Sequence, residues 1–165
     1  MKKLTLAMLI ISIFGAARSQ QLMINDTWFT GEGENNGRPI IIRGRQHLKN
    51  LMMSERFSSL VEVIWNYKPT NDSALPTPDE NVKMGEFEDK FVEVLEADLQ
   101  SVLTLVYTHN GQRTWILYTQ SAEEFEKRFS DIQENLKLSL AIEKDTDPDW
   151  TLYRGILENF GLEPK

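Results

Sequence analysis

An α+β fold is what this sequence predicts, and three features carry the expectation. Two runs of β-forming residues, 101–109 and 112–119, flank Asn110-Gly111, a pair that accepts the positive φ angles of a two-residue hairpin turn. Two helix starts are written as capping boxes, Thr77 with Glu80 and Ser121 with Glu124, each followed by apolar residues at helical spacing. From residue 60 the runs follow the order β-α-β-β-α-β and then a helix. That is the split βαβ plan of a ferredoxin-like antiparallel sheet with its helices on one face.

The elements follow in chain order. Residues 27–30 and 39–43 read as strands of an N-terminal hairpin, joined by a turn over 31–37 and placed to extend the sheet edge. Leu48, Leu51 and Met52 allow a short helix within 46–58. Residues 60–67 are rich in β-branched and aromatic side chains and stop at Lys68-Pro69, which marks a strand. The helix opening at Thr77 has Pro78 at its first position, where a missing N–H costs nothing. Met84, Phe87, Phe91, Val94 and Leu95 continue it to about Ala97. The helix opening at Ser121 carries Phe125, Phe129 and Ile132 on one face. Leu136, Leu138, Leu140 and Ile142 alternate with Lys137, Ser139, Ala141 and Glu143, the pattern of a half-buried strand. Asp147-Pro148-Asp149 caps a last helix bearing Trp150, Tyr153, Ile156, Leu157 and Phe160.

The Asn110-Gly111 turn also sets a register. It pairs Thr108 with Arg113, Val106 with Trp115 and Thr104 with Leu117 on one face. The other face receives Tyr107 with Thr114, Leu105 with Ile116 and Leu103 with Tyr118. The second set is the more apolar and is expected to meet the helices. Arg113, Trp115 and Thr108 are then left on an open sheet face, where they form a candidate binding surface.

Charge and composition exclude several function classes. The 165 residues hold 18 Lys+Arg against 25 Asp+Glu, a net charge of -7 that suits neither nucleic acid nor anionic membrane surfaces. With no cysteine there is no disulfide, thiolate metal site or cysteine nucleophile. Two histidines, His47 and His109, offer little for imidazole catalysis or metal binding. Nothing in the sequence calls for a cofactor.

The N-terminus reads as an export signal over 1–19. Lys2 and Lys3 precede an uncharged, mostly apolar run over 4–17, and Ala17 and Ser19 stand at the -3 and -1 positions of a cut before Gln20. A helix of that run spans about 21 Å, short of a bilayer core of about 30 Å. The expectation is a domain over 20–165, exported to a periplasm or beyond the cell, with no integral membrane segment once the signal is removed. Removing 1–19 takes away Lys2, Lys3 and Arg18 and no acid, which leaves 15 basic and 25 acidic residues and a net charge of -10.

Other constellations favour structural readings. Asp145, Asp147 and Asp149 have the spacing of a calcium loop, but Trp150 stands where Gly is needed, Ile156 where Glu is needed, and Pro148 interrupts. They read as helix-capping acids at the positive end of a helix dipole and as a candidate functional rim. Gly31, Gly33 and Gly37 mimic a phosphate loop, yet Glu32 and Glu34 would repel phosphate and no Lys follows. Glu96 and Asp98 read as solvated helix-end acids, with Arg113 or Arg154 as candidate counter-cations.

Three strings together resemble a known family. They are Leu95-Glu96-x-Asp98, Thr108-x-x-Gly111-x-Arg113-x-Trp115-x-x-Tyr118, and Asp145-x-Asp147-Pro148-x-Trp150-x-x-Tyr153. Their order is similar to that of the bacterial "domain of unknown function 695" family, over about residues 27–158. The resemblance implies a small α+β domain and assigns no catalytic residue. The leading expectation is therefore a non-enzymatic module that binds a protein or small ligand through Arg113, Trp115 and Thr108, with Asp145, Asp147, Trp150 and Tyr153 along an acidic rim. One alternative is a hydrolase or lyase that uses Glu96, Asp98, Asp145 or Asp147 as acid and base, with Arg113 and Tyr118 as stabilisers. The other is a self-associating envelope component.

Overall fold

Both hairpins of the fold turn on an Asn-Gly pair with two positive φ angles: Asn36 at 52° and Gly37 at 75°, then Asn110 at 49° and Gly111 at 82°. Such turns match the right-handed twist of the strands they join. The computed structural model describes residues 22–163, and the export signal read at 1–19 lies outside them. The described chain is α+β. Its strands are β1 (Trp28–Asn35), β2 (Arg38–Arg45), β3 (Ser59–Asn66), β4 (Ser101–His109), β5 (Gln112–Thr119) and β6 (Ala141–Thr146). Its helices are α1 (Lys49–Met52), α2 (Pro78–Glu96), α3 (Ala122–Leu136) and α4 (Thr151–Asn159).

The strands form one antiparallel sheet in the order β1-β2-β4-β5-β3-β6. This six-strand order departs from the four-stranded ferredoxin-like sheet expected from the sequence. The added strands are those of the N-terminal hairpin, which extends the sheet edge as its place in the sequence suggests, with β2 pairing with β4. That hairpin is also longer than expected. Gly31 and Gly33 lie within β1 rather than in a turn, and only Asn36 and Gly37 reverse the chain. A Cβ at Gly31 would stand 2.1 Å from the Phe160 ring, so the close approach of the C-terminal segment requires glycine there.

Helices cover both faces of the sheet, not one. Met84, Phe87, Phe91 and Leu95 of α2, with Phe125, Phe129 and Ile132 of α3, pack on Val61, Val63, Leu103, Val106, Trp115 and Leu117. On the opposite face Leu48, Leu51, Phe57, Trp150, Tyr153 and Leu157 pack on Leu60, Val102, Leu105, Ile116 and Tyr118. Burying an aliphatic or aromatic side chain of this size is worth about 1.5–3 kcal/mol, so each layer is a core in its own right. The β4–β5 register follows the expected pairs from Thr108–Arg113 through Leu105–Ile116. Beyond that it shifts at a bulge between Leu103 and Leu105, so Leu103 meets Leu117 and Val102 meets Tyr118. The bulge places Thr104 inside the sheet, where its hydroxyl donates to the Ile116 carbonyl at 3.0 Å.

Local chemistry sets the element ends. Thr77 and Glu80 form a reciprocal capping box at α2. At α3 the Ser121 hydroxyl accepts the Glu124 N–H, but the Glu124 carboxylate turns to Arg128 instead of returning to the cap. The strand expected over 136–143 starts only at Ala141. α3 runs on through Leu136, and Lys137, at φ 54°, closes it with N–H bonds from Lys137 and Leu138 back to the Glu134 and Gln133 carbonyls. The Gln133 amide oxygen then takes the Leu140 N–H, which keeps this stretch off the ladder.

Candidate ligand pocket

Arg113 and Thr108 face each other across the β4–β5 ladder, as their register requires. The face they share is the one that α2 covers. The Arg113 guanidinium donates from Nε to Thr108 Oγ1 at 2.9 Å and from Nη2 to Asn81 Oδ1, in the first turns of α2, at 2.7 Å. One strand further along the sheet, Arg43 of β2 donates from Nη2 to both carboxylate oxygens of Glu88, at 2.7 and 2.6 Å. Glu88 also accepts the Trp115 indole N–H at 2.7 Å. Asn81, Gly85 and Glu88 lie four and three residues apart, so α2 presents all three on one face.

Between this helix face and the sheet lies a cavity of about 410 Å³, lined by Ile41, Arg43, Asn81, Gly85, Glu88, Asp89, Val106, Thr108 and Arg113. Burial, and after it the neighbouring Arg43, lower the pKa of Arg113 against the smaller opposing pull of Glu88 and Tyr67. Both effects disfavour a charge that the site nevertheless holds, and a bound anion would relieve both. The chemistry on offer is recognition of a negatively charged group by guanidinium hydrogen bonds.

The other residues expected at a binding surface are placed elsewhere. Trp115 is fully buried beneath α2, stacked edge-on to Phe87 and Phe91, and not on an open face. The reason is the sheet's parity: Trp115 and Leu117 point to the α2/α3 side, which the sequence pattern had assigned to solvent.

Trp150 and Tyr153 are buried in the opposite core. The Trp150 indole stacks on the Tyr118 ring at 4.0 Å and donates to the Phe57 carbonyl, and the Tyr153 hydroxyl donates to the Arg45 carbonyl at 2.6 Å. Asp147 accepts the Tyr118 hydroxyl at 2.6 Å and the N–H groups of Thr151 and Leu152. Burial alone would raise the Asp147 carboxyl pKa, but those hydrogen bonds outweigh it and hold the carboxyl below its ordinary range. Burial and the Asp147 bond both push the Tyr118 hydroxyl upward. This cluster closes α4 onto the sheet and has no free group to offer a ligand.

Asp145 stands exposed on the edge strand β6, opposite Leu60 and near Glu62 and Glu143. Burial, then Glu143 and Asp145, raise the pKa of Glu62 there. The acidic rim and the Arg113 pocket therefore lie on opposite faces of the sheet. The carboxylates of an acid–base reading are also kept apart. Glu96 is bound to the buried Arg45 at 2.6 Å, Asp98 to Arg128 at 2.8 Å, and Asp147 caps α4. Among the described residues no group of three or more His, Cys, Asp or Glu side chains is placed to hold a metal ion.

Arg43, Asn81, Gly85 and Glu88 escaped the sequence reading. The signal was there in part: Asn81, Gly85 and Glu88 form a polar and glycine stripe beside the apolar face of α2, and Arg43 closes the Ile-rich run of β2. Their convergence depends on β2 lying next to β4.

A family model described as "Family of unknown function (DUF695)" matches residues 26–157. No curated protein and no solved structure matches the chain.

Proposed function

Because the chain belongs to this family of unknown function (DUF695), whose description names no activity, we propose its role from the pocket: an exported, non-catalytic module that binds a small anionic ligand between α2 and the sheet. The observation that carries the reading is Arg113. It is a partly buried guanidinium at the wall of a cavity, bonded to Thr108 and Asn81 oxygens and crowded by a second arginine. Ligand sites combine such a concave space with a few convergent polar groups. The site differs from the open-face surface expected from sequence, but it keeps Arg113 and Thr108 at its centre. Export rests on the basic start, the apolar run and the small-residue cut site of 1–19.

We also read β3-α2-β4-β5-α3-β6 as a ferredoxin-like unit to which the N-terminal hairpin and α4 are additions. The local order β4-β5-β3-β6 and the shared face of α2 and α3 support this.

The test of the binding role is backbone amide NMR of the protein titrated with acetate, sulfate and phosphate. Saturable shifts with at least one of these anions are expected in β2, β4, β5 and residues 81–89. Shifts confined to β6 and α4, or no saturable shift, would refute the reading.

A further inference from the structure

The balance of charge in the pocket specifies its ligand further, and this step rests on reading the pocket as a binding site. Arg43 is already answered by both oxygens of Glu88. Arg113 is answered only by the neutral oxygens of Thr108 and Asn81, and among the described residues it has no carboxylate within 4.0 Å. The lining thus carries two guanidinium groups and two carboxylates, Glu88 and Asp89, and is neutral in sum with one cation lacking a contact partner.

A singly charged, planar anion matches that arrangement, because a carboxylate presents two oxygens to the edge of one guanidinium. A phosphate dianion would bring a second negative charge toward Glu88 and Asp89, with no second unpaired cation to receive it. The rest of the wall is apolar where Ile41 and Val106 reach it.

Gly85 also lines the cavity. A Cβ built there meets no heavy atom within 4 Å, so helix packing does not require glycine. Glycine inside a helix nevertheless costs roughly 0.5–1 kcal/mol relative to alanine. What its absent side chain preserves is cavity space. The volume of about 410 Å³ falls within the range of small-molecule sites.

We infer that the pocket takes a small organic monocarboxylate, with its carboxylate on Arg113, its apolar part against Ile41 and Val106, and Gly85 setting the size limit. The test is calorimetric titration of the protein with butyrate, benzoate and inorganic phosphate at pH 7, repeated on R113K, T108V and G85L. The expected result is saturable binding of at least one carboxylate and none of phosphate, with affinity reduced tenfold or more in R113K and in G85L. T108V removes one anchor of the guanidinium without touching its charge and is expected to weaken binding less than R113K. Thermal unfolding of each variant separates lost binding from lost fold. Phosphate binding more tightly than either carboxylate would overturn the ligand class and leave the pocket standing as an anion site. Unchanged carboxylate affinity in G85L would overturn the size limit. No saturable heat from any of the three would overturn the inference and the binding role together.

Discussion

Replacing Asp147 tests whether the C-terminal Asp-Pro-x-Trp-x-x-Tyr string is structural. Its carboxylate accepts the Tyr118 hydroxyl at 2.6 Å and caps two N–H groups of α4 at 2.8 and 3.0 Å. A lost cap costs about 1 kcal/mol, and a hydrogen bond to a charged group contributes about 1.5–3 kcal/mol. D147A should therefore lose about 2.5–4 kcal/mol of unfolding free energy, read by urea denaturation with circular dichroism. Y118F should cost less, because it removes the hydroxyl while the cap remains. The D147A/Y118F cycle isolates the shared bond and should return a coupling of about 1.5–3 kcal/mol.

The pH dependence has a definite sign. The folded pKa of Asp147 is held below its unfolded value of about 3.9. Its contribution is thus fully present above that value and is lost as pH falls through the folded one. D147N should show a flatter stability profile than the parent below about pH 4. A loss under about 0.5 kcal/mol in D147A, or a coupling near zero, would place Asp147 among ordinary surface residues and refute the argument.

Two further substitutions probe the same division between core and site. W115A should cost about 3–5 kcal/mol in chemical denaturation as a large cavity opens beneath α2, whereas a solvent-exposed tryptophan would cost within about 0.5 kcal/mol. E96Q should destabilise the fold by up to about 3–5 kcal/mol, because Arg45 is 4 % exposed and would keep a buried charge without its 2.6 Å partner. An E96Q midpoint equal to that of the parent would show that Asp26, at 3.3 Å, suffices for Arg45.

Much of the fold was legible because its signals are local. The Asn110-Gly111 turn and the Thr77 cap each depend on residues within a few positions, and their elements stand at 101–109, 112–119 and 78–96 as the spacing predicts. The pairing of Arg113 with Thr108 followed from the same turn. The N-terminal hairpin hid its turn, because Gly31 and Gly33 imitate loop composition while serving as strand residues. The strand over 136–143 failed at its start because alternation of Leu136, Leu138 and Leu140 is equally compatible with a helix end followed by an irregular stretch.

The sequence by itself determined the α+β class, most element positions, the acidic balance and the pairing of Arg113 with Thr108. These are properties of near neighbours along the chain or across a two-residue turn, where backbone geometry leaves few choices. Only the tertiary structure decided which face Trp115 occupies, because the two faces of β5 are almost equally apolar and the helices that cover them arrive from distant segments. It also decided that Arg43, Asn81 and Glu88 meet Arg113, since that depends on β2 joining β4 across a separation of more than sixty residues and on α2 packing over the same face. The sheet face foreseen as open carries a pocket under a helix. The charge of Arg113 stays, and its partners are what the fold supplied.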